Sequence, residues 1–347
     1  MSSSSSSLAR AVGVVAMACR YPGADSPDAL WRLLKEGKNA FVEVDPDRFK
    51  PAVELWERDE EREEQQEEGR GRRGEGGNKR KHAEKQRGTK KHPLVDGREP
   101  EAKRVNAAVL EDADAYDADY FDVTDGEMGR MDPHHRLALE VACQAFHNAG
   151  YDKAALAGQR VGVFVAMSNK EWSNVCPPPG GAPAAIMNST SSVAAHAAHR
   201  ISQFFNLRGP SIVVDSGCAS SLAAVDMAVQ SLKAGRCSSA LVVGVHLLLD
   251  ANNVNVWEDC GLLSTRGAGR FFGNDSDGFA LGEGAGAVVL ENVADAARHR
   301  QKVLVKVGAS VVGYGGSPFE AHREEMDAAR TALMVEAREE AGLVEPK

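Results

Sequence analysis

Residues 211–245 carry an apolar strand pattern, a tight turn of small residues, a helical pattern and a second apolar strand, and few folds accommodate that order. Ile212, Val213 and Val214 are β-formers; Leu222, Val225, Val229 and Leu232 recur at helical spacing until Gly235 supplies a stop; Ala240-Leu-Val-Val-Gly-Val245 is the next strand. This predicts a βαβ unit, hence a parallel, right-handed crossover in a sheet covered on both faces. The turn, Asp215-Ser-Gly-Cys218-Ala-Ser220, delivers Cys218 to a helix N-terminus. The unpaired N–H groups and partial positive charge there favour thiolate over thiol, and the small neighbours Gly217, Ala219 and Ser220 leave room for a carbonyl to approach. Two readings stand at this point: Cys218 is a nucleophile, or it is a small buried hydrophobe, as free cysteines commonly are.

The rest of the chain reads as further α/β structure. Val12–Met17 is a strand; Ser26-Pro27-Asp28 then opens a helix with Trp31, Leu33 and Leu34 on its inner side and Gly37 closing it. A strand followed at once by a capped helix argues against a signal peptide, although Ala11–Cys19 is apolar and follows Arg10. Asp132-Pro133 heads a helix running to Gly150, with His134 and His135 on its first turn as packing or capping groups, since neighbours on a helix point apart. Val161–Val165 is a strand and Val193–Phe205 a helix, and strands follow at Ala285–Leu290 and Val303–Val312 with a helical link between them. A charged amphipathic helix covers about 320–341, ended by Gly342.

Two stretches are expected to lie outside the fold: a serine-rich tail at 1–9, and an insertion at about 57–92 that passes from a glutamate-rich to a basic, glycine-rich piece with almost no residue able to enter a core. Composition excludes several function classes. A net charge of -9 and 6% aromatic residues argue against a general nucleic-acid binder, and no apolar run approaches the ~20 residues of a membrane span. The six cysteines show neither close pairs nor zinc-type spacing, so no metal site and a reducing, cytoplasmic setting are expected.

Several motifs, in order, carry a family resemblance. Val214-Asp-Ser-Gly-Cys-Ala-Ser-Ser-Leu222 resembles the active-site segment of β-ketoacyl synthases, the ketosynthase domains of type I polyketide and fatty-acid synthases. Met17-Ala-Cys-Arg-Tyr-Pro-Gly-Ala24, Met131-Asp-Pro-His-His-Arg-Leu137, His199-Arg-Ile-Ser-Gln-Phe-Phe205, Leu207-Arg-Gly-Pro-Ser211 and Asp277-Gly-Phe-Ala-Leu-Gly-Glu-Gly284 are similar to further segments of that family. The resemblance implies an α/β, thiolase-like layered α-β-α-β-α fold, here incomplete at the C-terminus: a first half over 10–300 and the beginning of a second over 301–347. It implies a homodimer and acyl transfer from the phosphopantetheine thiol of an acyl carrier protein to Cys218, then decarboxylative Claisen condensation with a malonyl group carried on the same kind of partner. No cofactor is bound directly. The N–H of Cys218 would be one oxyanion donor, and Asp277 and Glu283 fall in a supporting segment whose plainer role is to cap glycine turns.

Departures shape the functional expectation. The family's two histidine segments, which drive decarboxylation, are absent from these residues, as is its second oxyanion segment; Glu320-Ala-His322 is followed by Arg323-Glu-Glu where small residues belong, so His322 is expected to be a surface histidine. His199 stands where the family usually has asparagine, and Gly217 precedes the nucleophile. Two functions therefore remain open: a ketosynthase with Cys218 as acyl acceptor, or a catalytically incomplete ketosynthase-like piece that serves in dimerisation or carrier docking. A cysteine hydrolase would need a paired histidine and an orienting acid that spacing does not supply.

Overall fold

The computed structural model describes residues 11–45, 48, 105–168, 171–176, 191–267, 269–270, 273–314 and 323–343, with side chains of 125–126 and 323–326 left aside. The serine tail, the charged insertion and His322 lie outside the described residues. The principal strands and helices, in chain order, are β1 (Val12–Arg20), α1 (Pro27–Lys35), β2 (Val42–Glu43), β3 (Asn106–Ala108), α2 (Pro133–Asn148), β4 (Val161–Ala166), α3 (Ala195–Phe204), β5 (Ser211–Val214), α4 (Ser220–Lys233), β6 (Ser239–His246), α5 (Ala251–Asp259), β7 (Leu281–Gly282), β8 (Gly284–Asn292), α6 (Val293–Arg298), β9 (Val305–Val307) and α7 (Arg323–Glu340).

A six-stranded sheet in the order β5-β4-β6-β8-β1-β9 forms the body, and β2-β3-β7 make a small second sheet. The βαβ unit is present, but β4 lies between its two strands, pairing in parallel with both β5 and β6. The remainder is antiparallel: β8 against β6, then β1 against β8 and β9. The expected parallel sheet is therefore mixed. Helices cover both faces. Residues of α2 and α3 pack with Val163, Val165, Leu241 and Val243 on one side, and α4 packs with Phe164, Val242 and Leu290 on the other. This alternation follows from the period of two along a strand. The result is a mixed α/β arrangement with helices on both faces of the main sheet.

Local chemistry explains the element ends. Ser26 accepts the Ala29 N–H to cap α1, and Asp132 accepts the His134 N–H to cap α2 with Pro133 in the first turn. A bulge between Val14 and Ala16 shifts the β1 register by one residue, so Val12 and Val14 join the α4-side cluster whereas Ala16 and Ala18 join the α2-side one.

Three expectations change. Leu222 is 76% exposed, because α4 turns Ala223, Ala224, Ala228, Val229 and Leu232 inward instead. Trp31 and Leu34 are 63% and 59% exposed and α1 buries none of its residues, since its apolar side borders an open cavity rather than a core. The strand expected over 303–312 is only Val305–Val307: it lies at the sheet edge and finds a ladder with Val12–Val14 alone. The segment after residue 300 thus begins by extending the first sheet.

Gly209 fixes the approach of β5 to β4, since a Cβ there would stand 2.2 Å from the Val161 carbonyl oxygen. Gly209→Ala is expected to lower stability by more than about 3 kcal/mol, above ordinary overpacking. Gly235→Ala, at φ +67° with nothing within 4 Å, should cost only about 1–2 kcal/mol. Chemical denaturation of both variants checks the order.

Candidate active site

The three parallel strands end at one edge of the sheet, and the chain leaving β5 makes the Cys218 turn there. Gly217 adopts φ +58° with open space where a Cβ would be, a conformation that glycine takes at no steric cost. Ser220 holds the turn: its hydroxyl donates to the Gly217 carbonyl at 2.6 Å and accepts the Ser216 N–H at 2.8 Å. Asp215 accepts the Gly217 N–H at 3.2 Å. The N–H groups on either side of Cys218 are thus spent on the turn, whereas that of Cys218 has no partner among the described residues. Cys218 is exposed, and α4 begins two residues later. This disposes of the buried-hydrophobe reading.

All six cysteines are free. Burial pushes the thiols of Cys19 and Cys237 up and that of Cys143 up to about 12, so these three are poor thiolates.

Cys218 lies on the wall of an open cavity of about 1310 Å³. Its apolar lining comes from Met17, Val225, Val242 and Val288 on the sheet and α4, with Trp31 and Trp257 from α1 and α5. The β1 bulge is what turns Met17 and Cys19 toward this side.

Asp277 and Glu283 serve the scaffold. Glu283 borders the cavity, yet its buried carboxylate accepts the Leu248 N–H at 2.9 Å, the Leu110 N–H at 2.8 Å and Arg48 Nη2 at 2.7 Å. Asp277 is not among the cavity residues; it accepts from Ser264, Thr265 and Arg266. The hydrogen bonds from Arg266 and Ser264 hold its carboxyl down to about 2.

Sequence reasoning passed over Glu171 and His246, read Ser220 only as a small neighbour, and read His134 as a packing or capping group. Ser220 supports the turn. Glu171, 2% exposed, accepts the N–H groups of Leu249 and Asp250 and the side-chain amide of Asn253, fixing the chain where it leaves β6. His134 bridges Asp132, at 2.8 Å from Nδ1, to the Leu247 N–H, 3.0 Å from Nε2. His246 ends β6 and lines the Cys218 cavity; its place at the carboxyl end of a parallel strand was the available signal. His135 is wholly buried, and desolvation pushes its imidazole down to about 4, so it packs as a neutral ring. His199, on α3, stacks edge-on against His196.

Among the described residues, no helix is long and apolar enough to cross a membrane.

Comparison with known proteins places this geometry. The family described as Beta-ketoacyl synthase, N-terminal domain, matches residues 9–73 and 71–296. A phenolphthiocerol/phthiocerol polyketide synthase of Mycobacterium tuberculosis is 33% identical over 331 residues, covering 89% of this chain and 15% of that protein. Highly reducing polyketide synthase frbB of Dothideomycetidae sp. is 30% identical over 310 residues, covering 88% and 10%. Among solved structures, the ketosynthase from module 6 of the bacillaene synthase of Bacillus subtilis superposes with a TM-score of 0.73 at 26% identity, covering 96% of this chain and 48% of that one. An oxazolomycin ketosynthase domain of Streptomyces albus gives 0.74 at 29% identity, covering 96% and 51%. The chain spans about half of these ketosynthases and a small fraction of the full-length synthases.

Ser220→Ala removes both bonds that hold the turn. It should cost about 1–3 kcal/mol and speed hydrogen exchange at the Ser216 amide; unchanged protection there would show that the hydroxyl does not set the turn.

Proposed function

Because the chain belongs to the β-ketoacyl synthase family, we propose that Cys218 accepts an acyl group from the phosphopantetheine thiol of an acyl carrier protein and presents it for chain extension in polyketide or fatty-acid assembly. The observation that carries this reading is an exposed cysteine on the wall of an apolar cavity, in a turn that leaves its own N–H unspent. The sulfur adds to the thioester carbonyl, a tetrahedral oxyanion forms, and the carrier thiolate departs as the carbonyl returns on the cysteine. The Cys218 N–H is a fixed donor for that oxyanion. The apolar walls suit the acyl chain. The extension itself is a decarboxylative Claisen condensation: malonyl-carrier protein loses carbon dioxide and its carbanion attacks the acyl-cysteine thioester. The described residues supply groups for the transfer half of this sequence.

Incubation with an acyl-pantetheine thioester is expected to add one acyl mass to the wild-type chain and none to Cys218→Ala, read by intact mass spectrometry. An adduct that survives the substitution overturns the assignment.

A second reading, a catalytically incomplete module for dimerisation or carrier docking, draws on exposed apolar side chains. Trp31, Leu34 and Trp257, which share the cavity wall, are all more than 40% exposed, and clusters of this kind mark surfaces made to be covered. The expected homodimer also has an edge available, since β5 has a ladder partner on one side only among the described residues. On this reading, sedimentation velocity should show self-association rising with protein concentration. A single monomeric species throughout, with a cooperative melt, counts against it.

A further inference from the structure

His246 is a histidine that no step above uses, and its position follows from three observations. Ala240 and Val242 of β6 pack on the α4 side of the sheet. Gly244 continues that face, because a Cβ there would stand 2.8 Å from the Ser221 hydroxyl of α4. With a period of two, His246 projects from the same face, two residues further toward the edge where the parallel strands end. Cys218 precedes Ser221 by three residues, in the turn that enters α4 at that edge. From the one contact between Ser221 and Gly244, both residues therefore step toward the same end, His246 by about 6.6 Å of strand, and both line the cavity. The imidazole makes no hydrogen bond among the described residues, in contrast to His134 behind it.

From this juxtaposition we infer that His246 is the proton acceptor for Cys218 during acyl transfer. The inference rests on the acyl-acceptor role proposed for Cys218. As the Sγ–carbon bond forms, the thiol proton passes to the imidazole, directly or across one water; as the carbon–sulfur bond to the carrier breaks, that proton passes to the departing thiolate. The step begins and ends with neutral imidazole and consumes no other reagent. The surroundings suit it. Desolvation and the nearby His134 push the His246 imidazole down, while Glu171 and Glu283 pull it up more weakly. Asp28, Asp215, Cys19 and Tyr21 are the other titratable groups around the cavity. A lowered value leaves the ring neutral, hence able to accept, at neutral pH.

The test measures the rate of Cys218 acylation by an acyl-pantetheine thioester across pH for wild type, His246→Gln and His246→Ala, with thermal midpoints recorded in parallel. In wild type the rate should rise through a titration below the ordinary histidine value. In H246Q that inflection should vanish and the neutral-pH rate should fall about 100-fold, with the midpoint within a few degrees. Added free imidazole should restore rate to H246A, a rescue that a purely structural role would not give. An unchanged pH profile in H246Q, or no rescue of H246A, overturns the inference and leaves the acyl-acceptor reading standing. Failure of the wild type to acylate would instead overturn that reading, and the inference with it.

Discussion

Strand β4 is buried along its whole length and hydrogen-bonded in parallel on both sides, and the site depends on that constraint. Parallel strands cannot be joined by a hairpin, so the chain leaving β5 must cross over a face of the sheet, past β4, to reach β6. The crossing helix, α4, must start at the edge where the strands end. That start is the turn holding Cys218. A sheet with both faces packed thus places a reactive group at its rim without any element devoted to doing so, and the same edge receives His246 from β6.

Two carboxylates on the cavity wall, and a buried imidazole behind it, have structural work. Glu283 ties β7–β8 to the segments at Leu110 and Leu248; Glu171 ties the exit of β6 to α5; His134 couples the cap of α2 to Leu247. Each satisfies backbone N–H groups that strands and helices leave open at their ends, which buried polar groups require. Four hydrogen bonds with these three side chains converge on residues 247–250, immediately after His246. The backbone beyond the imidazole is therefore held from three directions, while the ring itself makes no hydrogen bond among the described residues.

Much of this was legible in the sequence because it is local. Short apolar runs marked β4, β6 and β8, and Ser26, Asp132 and Gly235 marked helix ends through chemistry confined to a few residues. The Cys218 turn was legible for the same reason. What pairs with what was not: the insertion of β4 between β5 and β6, and the union of β1 with β8, depend on residues far apart in the chain. Leu222 shows the limit of periodicity, since its spacing fits an inward stripe but the alanines at 223, 224 and 228 allow closer packing on the sheet. The strand pattern beyond Val307 went unrealised for want of a neighbour: Gly308 opens a stretch to 314 that no strand borders among the described residues. Glu283 was visible as a residue, but its three donors come from separate segments. His246 lies one residue past the strand read over Ala240–Val245, and only the topology shows which edge it reaches.

The pairing of β1 has a consequence for how the chain is made. Val12 pairs with Asn292 and with Val307, and Arg20 with Ala285, so the first strand meets both its neighbours only across some of the longest separations in the molecule. Closing so long a loop adds little thermodynamic penalty, because loop entropy grows only with the logarithm of length. Time is another matter. At about 5–20 residues per second of synthesis, an emerging β1 waits on the order of tens of seconds for β8, with its apolar residues and open backbone edges unclaimed. Over that interval the nine residues of β1, most of them buried in the folded chain, have no strand to pair with.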